Sequence, residues 1–166
     1  LPTPAAIDGL SRSPLSFGYL PFEVAGGLMP EPGEEVTVPV GRPAKAMYLL
    51  HGARLLDREA MVESLKDKRH WAGVPVAEYV VHYASGATET IPVRYSMDLR
   101  DPEVGWCEVP IVYNSLGVAP MTCETDGLHL YAMQWRNPRP NDPIASITLR
   151  QIEPMARVTL AGLVVQ

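Results

Sequence analysis

The sequence contains few cysteines and few aromatic residues, and it lacks both a basic run and a long apolar run. Its two cysteines, Cys107 and Cys123, are too few for a disulfide-rich scaffold, and they form either one disulfide or two free thiols. The net charge of −5, without a basic run, argues against nucleic-acid binding. No stretch approaches the ~20 apolar residues that cross a bilayer, so we expect no membrane insertion.

Proline, by contrast, is abundant: the 166 residues include 17 Pro and 13 Gly, which favours short strands joined by turns over a helical bundle. The length and the hydrophobic fraction of 46% fit one globular domain. We assign residues 1–16 to an extended N-terminal arm and residues 17–166 to that domain. Because the chain starts at Leu1 and its last residues are apolar, we expect it to be one domain of a larger polypeptide.

Three consecutive segments differ in their hydrophobic pattern. Val36, Val38 and Val40 alternate with polar residues and Pro39, which predicts a half-buried strand at the edge of a sheet. Residues 44–50 are apolar nearly throughout, as expected for a strand that is buried on both faces. Residues 53–72 mix Leu and Met with many charges, so they form either a short helix or a long exposed excursion.

A β-hairpin is the clearest local signal. Tyr79, Val81 and Tyr83 share one face of a first strand, and a second strand follows after a short turn that contains Gly86. Further strands are predicted over residues 128–135, 144–152 and 157–165. About eight strands and at most one short helix make the chain an all-β protein, an antiparallel two-sheet β-sandwich.

Several pieces of sequence follow one another in a distinctive order: His82-Tyr83-Ala84-Ser85-Gly86, residues 90–95, Trp135-Arg136-Asn137-Pro138 and residues 144–147. In this order, and over roughly residues 17–165, they resemble the jelly-roll, galactose-binding-like accessory domains of bacterial glycan-degrading and cell-surface proteins. Where that family commonly has Asp and Gly, this chain has Ser85 and Ser96.

The resemblance implies a jelly-roll β-sandwich in a multidomain extracellular, periplasmic or cell-surface protein. It also implies a non-catalytic module that binds or positions a carbohydrate beside a catalytic domain such as a glycoside hydrolase. Two alternatives stay open: a purely structural spacer, and a small glycan-active enzyme whose cleft lies between residues 53–72 and 96–127.

Sugars stack their C–H faces on aromatic rings and exchange hydrogen bonds with polar side chains. The loops offer residues of both kinds, and if one end of the sandwich gathers those loops, the residues form a binding patch. The alternative is that the tryptophans cap the core. The candidates are Trp71, Tyr95, Asp98, Arg100, Trp106, Trp135, Arg136 and Asn137.

Metal and catalytic sites have weaker support, and we expect no cofactor and no catalytic residue. His51, His82 and His129 would suit zinc only if their strands are neighbours; otherwise they are hydrogen-bonded structural histidines. Calcium would require the loops to bring several oxygen ligands together. The candidate calcium ligands are Asp98, Asp101 and Asp142. The spacing of Asp98, Asp101, Glu103 and Glu108 singles out no acid and base, so these are expected to be solvated loop charges.

Overall fold

The computed structural model describes residues 14–17, 20–23, 27–67, 72–101, 121–122 and 129–166. Within these ranges lie ten strands and one helix. They are β1 (Pro14–Phe17), β2 (Leu20–Glu23), β3 (Glu35–Arg42), β4 (Ala46–Leu55), α1 (Arg58–Lys66), β5 (Val74–Tyr83), β6 (Thr88–Tyr95), β7 (Met121–Thr122), β8 (His129–Arg136), β9 (Ile144–Gln151) and β10 (Ala156–Val165). The boundary expected between arm and domain, at residues 16 and 17, falls within β1.

Two antiparallel four-stranded sheets form the sandwich, with strand orders β10-β4-β8-β7 and β3-β9-β5-β6. The pairing is nested. The innermost pair is β5 with β6, followed by β4 with β8 and β3 with β9. Outermost, Leu28 forms a bridge to Leu160 in β10. Such nested pairs, distributed over two sheets, are the topology of a jelly roll, and the expected all-β sandwich is confirmed.

The core lies between the sheets and is built by alternation along each strand. Tyr79, Val81 and Tyr83 of β5 point inward, as the hairpin pattern predicted. In β4 the residues from Met47 to Ala53 are all buried, so this strand is buried on both faces, as its apolar sequence predicted. On the face of β4 turned away from the other sheet, Leu50 is fully buried, and β2 lies close to the neighbouring strand β10.

Proline marks both edges of the second sheet. β3 and β6 are its outer strands, and they contain Pro39 and Pro92. Because proline lacks a backbone N–H, it is tolerated at a sheet edge and weakens the edge as a template for further strands. The edge position predicted from Pro39 is confirmed.

The charged excursion after β4 contains a helix, so the helical alternative for residues 53–72 is the correct one. Asp57 caps α1, because its side chain accepts a hydrogen bond of 2.9 Å from the backbone N–H of Ala60. Met61 is the helix residue that is fully buried, and it joins the main core. The helix therefore packs against the sandwich through Met61 and the half-buried Leu65, and it exposes most of its charged side chains.

The hairpin turn contains Gly86 with φ of 89°, the positive value expected there. At the end of β6, Ser96 has φ of 75°, in the left-handed region that favours glycine. It stands where the resembling family has Gly.

Candidate functional site

The predicted binding residues that the structure describes lie at opposite ends of the sandwich. β5 begins at Val74, which pairs with Tyr95, and ends at Tyr83, whose hydroxyl donates to Asn137 Oδ1. A ten-residue strand spans about 30 Å. The structure therefore does not bring the two groups of predicted residues into one patch. One group is Tyr95, Asp98 and Arg100; the other is Trp135, Arg136 and Asn137.

We call the first end the polar end: Tyr95, Asp98, Arg100, Asp101, His129 and Tyr131. Trp71 and Trp106 lie outside the described residues. Along the chain, Trp71 directly precedes Ala72, which leads into β5, and Trp106 comes five residues after Asp101.

Two carboxylates organise the turn at the polar end. Asp98 Oδ2 accepts a hydrogen bond of 2.7 Å from the backbone N–H of Arg94, and Asp101 Oδ2 accepts one of 2.8 Å from that of Leu55. The backbone N–H of Asp101 in turn donates to the Tyr95 hydroxyl at 3.1 Å. These bonds tie the segment after β6 to β4, in the other sheet.

The guanidinium of Arg100 is the centre of this end. It hydrogen-bonds the hydroxyl of Tyr131 and lies near Asp101 and His129. Burial, followed by the positive charge of Arg100, lowers the pKa of His129, so its imidazole is neutral at neutral pH. Burial also raises the pKa of Tyr131. The group combines a planar cation, a phenol and a neutral imidazole, which together donate and accept hydrogen bonds. Arg100 and Tyr131 are buried, and His129 is half-buried.

Behind this group lies a buried pair of rings. His51 Nδ1 is 3.2 Å from the Tyr79 hydroxyl, and the ring centroids are 6.0 Å apart. Burial lowers the pKa of His51 to about 4, and the backbone of Asp98 partly opposes that change. The sequence pattern placed Tyr79 in the hairpin, but neither Tyr79 nor Tyr131 was predicted as a residue of the site. The available signal was a tyrosine at an inward-facing strand position, because a buried hydroxyl requires a partner.

At the opposite end, Asn137 is used entirely within the fold. Its Nδ2 donates to the carbonyl oxygens of Ala44 at 2.8 Å and Arg139 at 3.1 Å. Its Oδ1 accepts from the Tyr83 hydroxyl at 2.5 Å and from the backbone N–H of Arg139 at 2.9 Å. An amide has two donors and two acceptor positions, so all four are occupied. Nearby, Ser85 hydrogen-bonds the carboxylate of Asp142 and holds the hairpin against this loop.

The other two predicted residues at this end differ in exposure. Trp135 is half-buried and packs against the main core, which agrees with its reading as a core cap. Arg136 is exposed.

The proposed metal sets are not assembled. His51 lies in the core, His82 lies on the outer face of the second sheet beside Thr148, and His129 is at the polar end. Asp142 is at the opposite end from Asp98 and Asp101. Among the described residues, no three His, Cys, Asp or Glu side chains are grouped to hold a metal ion. Besides Trp71 and Trp106, four residues considered above lie outside the described part of the chain: Glu103, Cys107, Glu108 and Cys123.

No helix in the described ranges is long and apolar enough to cross a membrane. Comparison of the chain with protein families, with curated proteins and with solved structures gives no significant match. The likeness to galactose-binding-like domains therefore stays a prediction from the sequence.

Proposed function

We propose that the chain is a non-catalytic module that binds or positions a carbohydrate for a larger bacterial glycan-active protein, and that the sugar binds at the polar end. One observation carries the proposal: Arg100, Tyr131 and His129 come together at one end of a jelly roll. The buried side chains of Arg100 and Tyr131 and the half-buried imidazole of His129 are mixed donors and acceptors, the kind of group that binds sugar hydroxyls.

Two predicted aromatic residues come close to this end along the sequence. Trp71 directly precedes the described residue Ala72, Trp106 comes five residues after Asp101, and an indole face is the surface on which a sugar ring stacks. At the opposite end, by contrast, Asn137 has no free donor or acceptor.

The carboxylates of the polar end support a non-catalytic role. A glycosidase needs two carboxyl groups roughly 5–10 Å apart that face a sugar from both sides. Asp98 and Asp101 instead each accept a backbone N–H and fix a turn. These hydrogen bonds explain the positions of the two carboxylates without a catalytic role.

The test is an affinity-gel and glycan-array screen of the chain against plant, algal and host polysaccharides. Trp71→Ala and Trp106→Ala should each weaken binding about tenfold, because a stacking face is lost, while Tm changes by less than about 2 °C. Thr90→Ala, at an exposed position on β6, is the control and should change neither quantity. A drop of several degrees in Tm with unchanged binding would show that the indoles belong to the core.

A structural spacer is the second candidate, and one observation favours it. Among the described residues, the exposed large apolar side chains are Leu56 and Ile152, at 47% and 46% exposure. Each directly follows a strand that ends at the polar end, β4 and β9 respectively. Exposed apolar residues at one end suit packing on a neighbouring domain. A folded, monodisperse chain that binds nothing in the screen would favour this function.

A further inference from the structure

His129 lies within the group of side chains to which we assign the sugar. It is the first residue of β8, and Tyr131, two residues further on, points to the same side of the sheet. Their Cα atoms are about 7 Å apart along the strand. The Arg100 guanidinium hydrogen-bonds the Tyr131 hydroxyl and acts electrostatically on His129. The imidazole and the guanidinium are therefore neighbours at the polar end.

Among the described residues, the charged side chains that act on this imidazole are Arg100 and Asp101, both in the segment after β6. The positive charge of Arg100 opposes protonation of His129, and the negative charge of Asp101 favours it. The Asp101 carboxylate is already engaged, since its Oδ2 accepts a backbone N–H of β4 at 2.8 Å. Asp98, the other carboxylate of that segment, lies beside His51. Burial adds to the effect of Arg100, and together they lower the pKa of His129.

The strands around His129 bring groups that stay neutral in mildly acidic solution. Burial raises the pKa of Tyr95 on β6 and that of Tyr131. On β4, His51 pairs with Tyr131, and burial lowers the pKa of His51 to about 4. β7, which pairs with the start of β8, contains no titratable residue. His129 is therefore the group of this end that acquires a positive charge first as the pH falls.

One ring nitrogen of His129 has no hydrogen-bond partner. Its Nδ1 is buried, and no described residue provides a donor or an acceptor for it. A neutral imidazole can carry its one proton on Nε2, whereas the charged ring has an N–H at both nitrogens. Protonation in place would therefore add an N–H that is buried without an acceptor, and it would set a second positive charge beside Arg100. Both effects favour a different position of the ring when it is charged.

We propose that the polar end is an acid-sensitive site, which holds an uncharged carbohydrate while His129 is neutral and releases it when His129 is protonated. The neutral ring has a nitrogen lone pair that accepts a hydroxyl proton, and the charged ring has none. The charged ring also separates from Arg100 and so disrupts the group that binds the sugar. This inference rests on the proposed carbohydrate-binding function and adds to it how the same site is regulated.

The experiment measures binding by calorimetry between pH 7.5 and pH 5.0, with galactan, mannan and laminarin as probes. These polysaccharides carry no ionisable groups, so a change of pH titrates the protein alone. The test variant is His129→Gln, whose side chain stays neutral. The matched control is His82→Gln, which removes a half-buried histidine from the outer face of the second sheet, where it hydrogen-bonds Thr148. Thermal unfolding at each pH establishes that every protein is folded.

In the parent chain, the affinity for at least one probe should fall as the pH drops below the pKa of His129. The loss should approach about tenfold per pH unit, the limit when one proton excludes the ligand. The His129→Gln variant should lose this dependence, and the His82→Gln variant should retain it. Because the coupling between two ligands is reciprocal, saturation with the same polysaccharide should lower the pKa of His129 further. NMR titration of the imidazole in the parent chain measures that shift and needs no variant.

Equal affinity at pH 7.5 and pH 5.0 in the parent chain would overturn this inference and leave the proposed function intact. A pH dependence that persists in His129→Gln, or a pKa of His129 that bound polysaccharide leaves unchanged, would do the same. No binding to any of the three polysaccharides overturns the inference, and silence in the wider glycan screen overturns the proposed function with it.

Discussion

At the scale of single residues, Asn137 joins three separate segments. Its amide connects the turn before β4, the end of β5 and the loop after β8. Because these segments are far apart in sequence, the side chain works as a tertiary tie. An Asn before a Pro favours a turn, and the hydrogen bonds of the Asn137 side chain fix the path of this loop.

Asn137→Ala should lower the free energy of unfolding by about 2–4 kcal/mol, because it leaves the Tyr83 hydroxyl and the carbonyl of Ala44 without a partner. Urea denaturation measures the change. Asn141→Ala, at an exposed position in the same loop, should stay within about 0.5 kcal/mol of the parent. Equal effects of the two substitutions would contradict the role assigned to Asn137.

His51 should make the fold sensitive to acid. Its pKa is about 4 in the folded chain and about 6.5 when unfolded, so the unfolded state binds a proton first as the pH falls. The contribution of this group to stability is full above pH 6.5 and decreases by about 3 kcal/mol between pH 7 and pH 4.

Urea denaturation at a series of pH values checks the expectation, with His51→Phe as the comparison. Other groups titrate in both proteins, so the difference in slope between them isolates His51. Parallel curves for the two proteins across pH 4–7 would show that the imidazole is not the source.

At the scale of elements, the start of β5 requires a glycine at position 73, where there is no room for a side chain. Gly73 has φ of 84°, and a Cβ at this position would lie 2.6 Å from the carbonyl oxygen of Tyr95. Gly41 has φ of 69°, but nothing lies within 4 Å of its Cβ position. Both positions have a left-handed backbone conformation, but only Gly41 has room for a side chain.

Gly73→Ala should therefore cost about 3 kcal/mol or more in the free energy of unfolding, and Gly41→Ala about 1 kcal/mol. Thermal unfolding gives the comparison. A Gly73→Ala protein as stable as Gly41→Ala would mean that β5 and β6 separate easily at this end.

The long strands β3 to β6 and β8 to β10 were predictable because each carries its own hydrophobic pattern, whereas the short β1, β2 and β7 were not predicted. The alternation of Val36, Val38 and Val40 with other residues predicts a strand with one buried face. The continuous apolar run before His51 predicts a strand with both faces buried. The helix between β4 and β5 was harder to predict than the strands. Met61 is its one fully buried residue, and the charged residues around it leave only a weak amphipathic pattern. Its cap, Asp57, is the local signal that could have decided between the two alternatives.

At the scale of the whole molecule, the sequence could not predict that the candidate binding residues lie at two opposite ends of the sandwich. Loop composition indicated which residues are polar or aromatic. Which loops share an end follows from strand pairing between distant parts of the chain, such as β5 with β9. For the same reason, the sequence could not show whether the candidate calcium ligands Asp98, Asp101 and Asp142 meet, and Asp142 lies at the other end of β5.

The nested pairing also determines the order in which the strands can pair while the chain is being synthesised. The hairpin of β5 and β6 is complete when residue 95 has been made, but β4 receives its neighbours only from β8 and β10. The central strand of the first sheet, with its apolar residues, therefore emerges from the ribosome long before its partners. We expect the first sheet to remain incomplete until β10 is synthesised, and the apolar residues of β4 to be exposed to other nascent chains until then.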